Sequence, residues 1–292
     1  MHMKFIEGLE DPEGPVVMDD GSFLLVEMAS DKGCTTHISR DGKQRRVIAK
    51  TGRPNGLAVD REGFIWVAES LNPSLIKLSM DGEVEVVKTE CNGEKFIFPN
   101  DLAFGPDGRL YLTDSGFFVE DFLIDGKVRQ DFRDLSYDGR VYVIDTKTGE
   151  IERIDNSIKF TNGIAFGSEG DLYVNETITG MVYRYRNKDG KITGDREAFG
   201  NVLIQEEYSE IKGPDGMKFG ADGNLYVTVY GQGDVTVLGR DGKVVKRIRT
   251  EGSKPTNCVF GLPGDNTLYV TEVEFGTLEA IDVGTEGLAL HM

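Results

Sequence analysis

One seventeen-residue pattern recurs six times along this chain of 292 residues, and no other feature restricts the fold as much. The copies begin at Pro12, Pro54, Pro99, Thr161, Pro214 and Thr256, the last being one residue longer. The second, third and fourth read PNGLAVDREGFIWVAES, PNDLAFGPDGRLYLTDS and TNGIAFGSEGDLYVNET. Successive starts lie 42, 45, 62, 53 and 42 residues apart, close to the period of about 40–45 residues that marks four-stranded propeller blades. In each copy a short apolar strand leads into a turn such as Asp107-Gly108 or Asp222-Gly223, residue types that tolerate positive φ. A second strand, rich in aromatic and β-branched residues, follows. The 37 glycines suit many short strands joined by tight turns. The expected fold is all-β, a six-bladed β-propeller forming a single domain over residues 1–292.

Two intervals are longer than the period. The extra residues fall between Gly116 and Arg140, and between Asn187 and Glu210. Loops of that length in a compact domain are commonly binding loops. The first carries four phenylalanines and is read as a lid over the channel mouth, with a plain surface excursion as the equal alternative. In the fourth unit the outer strands are expected at MVYRYR and around Lys191 to Phe199. The last copy leaves one further strand, near Thr277 to Val283, so Lys4 to Leu9 is expected to supply the missing outer strand of that blade.

The formal net charge of −17 argues against nucleic acid or an anionic membrane surface as a partner. Cys34, Cys91 and Cys258 show no CxxC spacing and are expected to be reduced, buried thiols. No apolar signal segment or membrane-length run is visible, so a cytoplasmic location is expected. The sequence leaves the oligomeric state open.

The chemistry lies in the second position of the repeat, which reads Glu13, Asn55, Asn100, Asn162, Asp215, Asn257. Equivalent positions on the innermost strands of a propeller gather at one end of its channel. Asn and Asp favour turns for backbone reasons, which suffices for Asn55 and Asn257. It accounts less well for Glu13 and Asp215, because two carboxylates facing one channel raise each other's pKa. A divalent cation removes that penalty. An all-oxygen ligand set favours Ca²⁺ or Mg²⁺, with Mn²⁺ or Zn²⁺ as further candidates. Asp101 stands beside Asn100 where most copies have Gly, which suggests a substrate contact. The second strands close on Glu27, Glu69, Asp114, Glu176 and Glu272, placed to hold the Asn amides from behind. The three histidines are His2, His37 and His291, which makes a Ser-His-Asp triad or a His-rich zinc site a poor fit. GxSxG and phosphate-loop motifs are missing.

In PEGP around Glu13, FPNDLAFGPDGRLYLTDSG, TNGIAFGSEGDLYVNET and GPDGMKFGADGNLYVT, the chain resembles the senescence marker protein / gluconolactonase / luciferin-regenerating enzyme family over essentially its whole length. The resemblance implies a calcium-dependent, lactonase-like propeller with one catalytic divalent cation at the channel mouth. It assigns metal binding to Glu13, Asn162 and Asp215. It assigns substrate contact to Asn100 and Asp101, with Asn100 also a metal ligand in some members. The function expected is a metal-dependent hydrolase that opens a small lactone or related ester, with Asp215 as candidate general base. Phosphotriester hydrolysis and a non-enzymatic ligand- or partner-binding propeller are the alternatives. Some sugar lactonases of the family carry an Arg two residues before the Asn of the third copy, Asn100. Here that residue is Phe98, which points to a less polar substrate.

Overall fold

Six four-stranded antiparallel sheets, one per repeat, form the blades of a β-propeller. The computed structural model describes residues 2–124, 127–192, 195–204 and 210–291. The innermost strands are Pro12–Val17, Pro54–Val59, Pro99–Phe104, Thr161–Phe166, Gly213–Phe219 and Pro255–Phe260. Each begins a sheet, and in the first five the strands run outward in chain order, as in the third blade, where Leu110–Asp114, Gly139–Ile144 and Ile151–Ile158 follow. The turn glycines do what their spacing implies: Gly108 and Gly223 have φ of 74° and 80°.

The sixth blade is closed by the N-terminus. His2–Glu7 pairs antiparallel with Thr277–Asp282, Lys4 lying opposite Glu279 and Glu7 opposite Thr277. The strand begins and ends two residues earlier than the sequence suggests. Gly8, with φ of 72°, turns the chain inward after Glu7, and the Leu9 amide then donates to the Gly276 carbonyl at 2.9 Å. The fourth blade also departs from expectation. Its outer strand is Glu197–Asn201, whereas Lys191–Ile192 folds back on Asn187–Lys188 as a separate hairpin. The Asp189-Gly190 turn, positive in φ at both residues, lets this pair close locally before the chain returns to the sheet.

Successive side chains of a strand point to opposite faces, and strands such as Phe23–Glu27 and Ile65–Glu69 are buried along their whole length, so both faces of a blade carry side chains to a neighbour. Six apolar clusters result, one between each pair of adjacent blades. Between blades two and three, for example, Trp66, Ala68 and Leu75 meet Leu102, Leu110 and Tyr142. A seventh cluster, with Phe98, Phe117 and Phe122, belongs to the insertion that follows Gly116. All three cysteines are free and buried. Among the described residues no helix is long and apolar enough to cross a membrane.

Candidate metal centre

In every blade the pairing between first and second strands slips around the second repeat position. The shifts fall between Glu13 and Val16, Pro54 and Leu57, Pro99 and Leu102, Thr161 and Ile164, Pro214 and Met217, and Pro255 and Cys258. A bulge lifts the chain off the ladder and re-aims a side chain. Repeated six times, it delivers one polar residue per blade to the channel.

Glu13, Asn55, Asn100, Asn162 and Asp215 line a single cavity of about 310 Å³. Four of them are buried, and Asp215 is partly open to the cavity. Asn257 and Asp101 are buried behind this floor rather than lining it. The Asn257 amide donates to Glu13 Oε2 at 3.1 Å and reaches Asp101 Oδ2 at 3.5 Å. Asn257 thus couples the two acids, so a backbone account of it is incomplete. Asp101 does not face the cavity where a substrate contact was expected. Its Oδ1 accepts from the Leu102 amide at 2.8 Å and occupies the space that a Cβ on Gly56 would take, 2.4 Å from that position. The glycine of the neighbouring blade is what admits this carboxylate to the channel.

The acids that end the second strands also act differently from expectation. Asp114 accepts from the amides of Ile97, Phe98 and Gly116 at 2.7, 2.9 and 3.0 Å. Glu69 binds those of Arg53 and Leu71, and Glu272 those of Lys254, Glu274 and Phe275. They clamp the backbone leading into the inner strands and do not touch the Asn amides. That task falls to the next residue along. Ser115 Oγ accepts from Asn100 Nδ2 at 3.0 Å, and Thr177 Oγ1 from Asn162 Nδ2 at 3.1 Å. The only sequence signal for these two was a hydroxyl following the acid in TDS and NET.

Burial, followed by the negative charges of Asp215 and Asp101, raises the Glu13 pKa well above the ordinary carboxylate range. Burial and the charge of Asp101 do the same to Asp215. Asp101 is raised by burial, against an opposing pull from the Lys218 ammonium. Three carboxylates, Asp215 among them partly open to the cavity, therefore face one another with the Lys218 ammonium and the Arg53 guanidinium nearby. Asn162 Oδ1 is buried and has no hydrogen-bond partner among the described residues. Carboxylates short of positive charge, beside a carbonyl oxygen short of a donor, fit a hard divalent cation.

Residues 11–274 match the family described as the SMP-30/gluconolactonase/LRE-like region. A diisopropyl-fluorophosphatase from Loligo vulgaris is 28% identical over 289 residues, covering 93% of this chain and 88% of that protein. A gluconolactonase from Zymomonas mobilis is 27% identical over 279 residues, covering 89% and 75%. Among solved structures, a calcium-binding protein from Agrobacterium tumefaciens, regucalcin, superposes with a TM-score of 0.78 at 18% identity, covering 99% of this chain and 98% of its own. At that identity it bears on the fold alone.

Proposed function

The chain belongs to the SMP-30/gluconolactonase/LRE-like family, and from that premise we propose that it is a metal-dependent hydrolase opening a small lactone at the channel mouth. Glu13, Asn100, Asn162 and Asp215 would hold one divalent cation, Ca²⁺ before Mg²⁺, Mn²⁺ or Zn²⁺. The observation that carries this reading is the partnerless Asn162 Oδ1 on a cavity floor shared with Glu13 and Asp215. When bound, such a cation supplies Lewis acidity to an ester carbonyl and to a water molecule.

The remaining chemistry belongs to the chain. A carboxylate oxygen of Asp215, open to the cavity, takes a proton from the attacking water as the hydroxyl adds to the carbonyl carbon. The same carboxyl returns that proton to the alkoxide released when the ring C–O bond breaks. Asn100, held by Ser115, positions the ester. Asp101 acts from behind the floor through Asn257, without touching substrate. Two gluconolactonase- and fluorophosphatase-named relatives share the family, and the apolar cavity walls leave phosphotriester or phosphorofluoridate hydrolysis as a second reading.

The test is bound metal measured by mass spectrometry, alongside hydrolysis of a lactone and phosphotriester panel with Ca²⁺, Mg²⁺, Mn²⁺ and Zn²⁺. Stoichiometric metal with lactone turnover that chelation abolishes is expected. Undiminished turnover after chelation would remove the metal, and turnover of phosphotriesters alone would select the second reading.

A further inference from the structure

The cavity above the candidate metal centre is divided between two kinds of surface. Its floor is polar, but one wall is aromatic and aliphatic, with Phe98, Phe117, Phe122, Leu123, Val128 and Phe160 facing the space. Phe98 and Phe117 stack at 5.0 Å between centroids with 21° between planes. Phe117 meets Phe122 and Phe160, each at 4.7 Å. Phe132 and Tyr137 back this wall and are buried, the Tyr137 hydroxyl donating to the Phe132 carbonyl at 2.5 Å. The rings are therefore fixed from behind rather than lying loosely over the mouth.

The repeat explains why the phenylalanine rings lie on one side, the other blades adding only Met28, Ile211, Tyr230 and Val273 to the apolar lining. The residue just before each of the first four copies lines the cavity, and in order these are Asp11, Arg53, Phe98 and Phe160. Blades one and two thus present charge, while blades three and four present rings. The insertion after Gly116 adds Phe117 and Phe122 to the aromatic half. Arg53 marks the boundary, its guanidinium 5.2 Å over the Phe98 ring and bonded to Ser70 Oγ at 3.1 Å.

We propose that the substrate is a lactone bearing an apolar substituent, an alkyl chain or aryl ring, which lies against the wall formed by Phe98, Phe117, Phe122 and Phe160. This rests on the lactone-hydrolase reading and names its substrate class. A polyhydroxylated lactone carries a hydroxyl on nearly every ring or side-chain carbon. Each one pressed unpaired against these rings weakens binding roughly five- to 150-fold. An alkyl chain gains about fourfold for each methylene removed from water, until the cavity of about 310 Å³ is filled. Phe98, Phe117, Phe122 and Phe160 are the specificity-determining residues.

The experiment uses the full chain with its cation and compares kcat/KM across γ-lactones with side chains from zero to six carbons, and with glucono-δ-lactone. The expected result is a rise of about fourfold per methylene, carried mainly by KM, with glucono-δ-lactone below the alkyl series. In Phe117→Ser the gain per methylene falls below about twofold. Val119→Ser, at an exposed position on the same cavity, reports the wall if the first variant does not fold. A flat series, or preference for glucono-δ-lactone, overturns the inference and leaves the hydrolase intact. If no lactone turns over, calorimetry with the matching alkyl lactams decides. Affinity that rises with chain length keeps the wall and removes the hydrolase, while affinity independent of length removes both.

Discussion

The amide nitrogen of Asn162 donates to Thr177 Oγ1 at 3.1 Å, and this one bond decides which end of the amide faces the channel. The Thr177 hydroxyl proton is committed to the Pro214 carbonyl of the next blade, at 2.9 Å. The oxygen can then only accept, so Asn162 turns its NH₂ toward Thr177 and leaves Oδ1 buried without a donor among the described residues. Ser115 works in the same way on Asn100, giving its proton to the Thr161 carbonyl at 2.9 Å. A link between blades is also what presents a carbonyl oxygen to the site.

Replacing Thr177 with Val removes both roles while keeping the shape. The expected result is a loss of about 1–3 kcal/mol in stability from the abandoned Pro214 carbonyl and a roughly 10–100-fold weaker cation affinity. Thr177→Ser keeps donor and acceptor and should restore most of both. Calorimetric titration with Ca²⁺ reads the difference, and equal affinity in the Val and Ser variants would refute the orientation argument.

The propeller was legible because each blade repeats one local solution: a strand, a Gly turn and a second aromatic strand, as around Asp107-Gly108. Residues that meet across the channel were legible only as far as symmetry carries them. Glu13, Asn100, Asn162 and Asp215 converge on one cavity, as equivalent positions should. Asp101 broke the symmetry, and its direction depends on room left by Gly56 in the adjacent blade, a contact that no single repeat encodes. Asp114 looked like a partner for a side-chain amide, yet it binds three backbone N–H groups. Backbone demand of that kind is set by how a loop folds, not by residue type.

Glu13 and Asp215 are destabilised in the charged form by burial and by neighbouring negative charge, so a divalent cation should stabilise the fold by removing that penalty. At one hundred times Kd the gain is about 2.7 kcal/mol, a rise of roughly 4–5 °C in Tm for a chain of this size. Scanning calorimetry with Ca²⁺ against a chelator reads it directly. In Glu13→Gln the chelated protein should melt at or above the wild-type value and respond little to Ca²⁺. A wild-type Tm indifferent to every divalent cation tried would dismiss the centre.

Asp215→Asn keeps the shape and an oxygen ligand but removes the proton acceptor. Turnover should fall about 10²–10⁴-fold even at cation concentrations that saturate the variant, with far-ultraviolet circular dichroism unchanged. Wild-type kcat in the saturated variant would take the general-base role away from this residue.

Asp101→Asn separates its two readings. A residue that touches substrate changes KM at saturating cation, whereas one lying behind the floor, within reach of Asn257, acts on the cation. We expect weaker Ca²⁺ affinity, on the order of tenfold, with KM unchanged once the ion is saturating. A KM shift at saturating Ca²⁺ would return Asp101 to the substrate.

Closure of the ring by the N-terminus gives the last test. Ile6 is 3% exposed and packs with Phe23, Leu25 and Leu278 between the sixth and first blades. Ile6→Ala should therefore cost about 2–5 kcal/mol, whereas Met3→Ser, at a position 48% exposed, should change stability by no more than about 0.5 kcal/mol. Removing residues 1–7 goes further, because it uncovers the Thr277–Asp282 edge that His2–Glu7 now occupies. An unpaired edge recruits other chains, so concentration-dependent association should appear in light scattering at temperatures where the intact chain stays dispersed. A truncated chain that matches the intact one in denaturant midpoint and scattering would mean that the sixth blade holds with three strands.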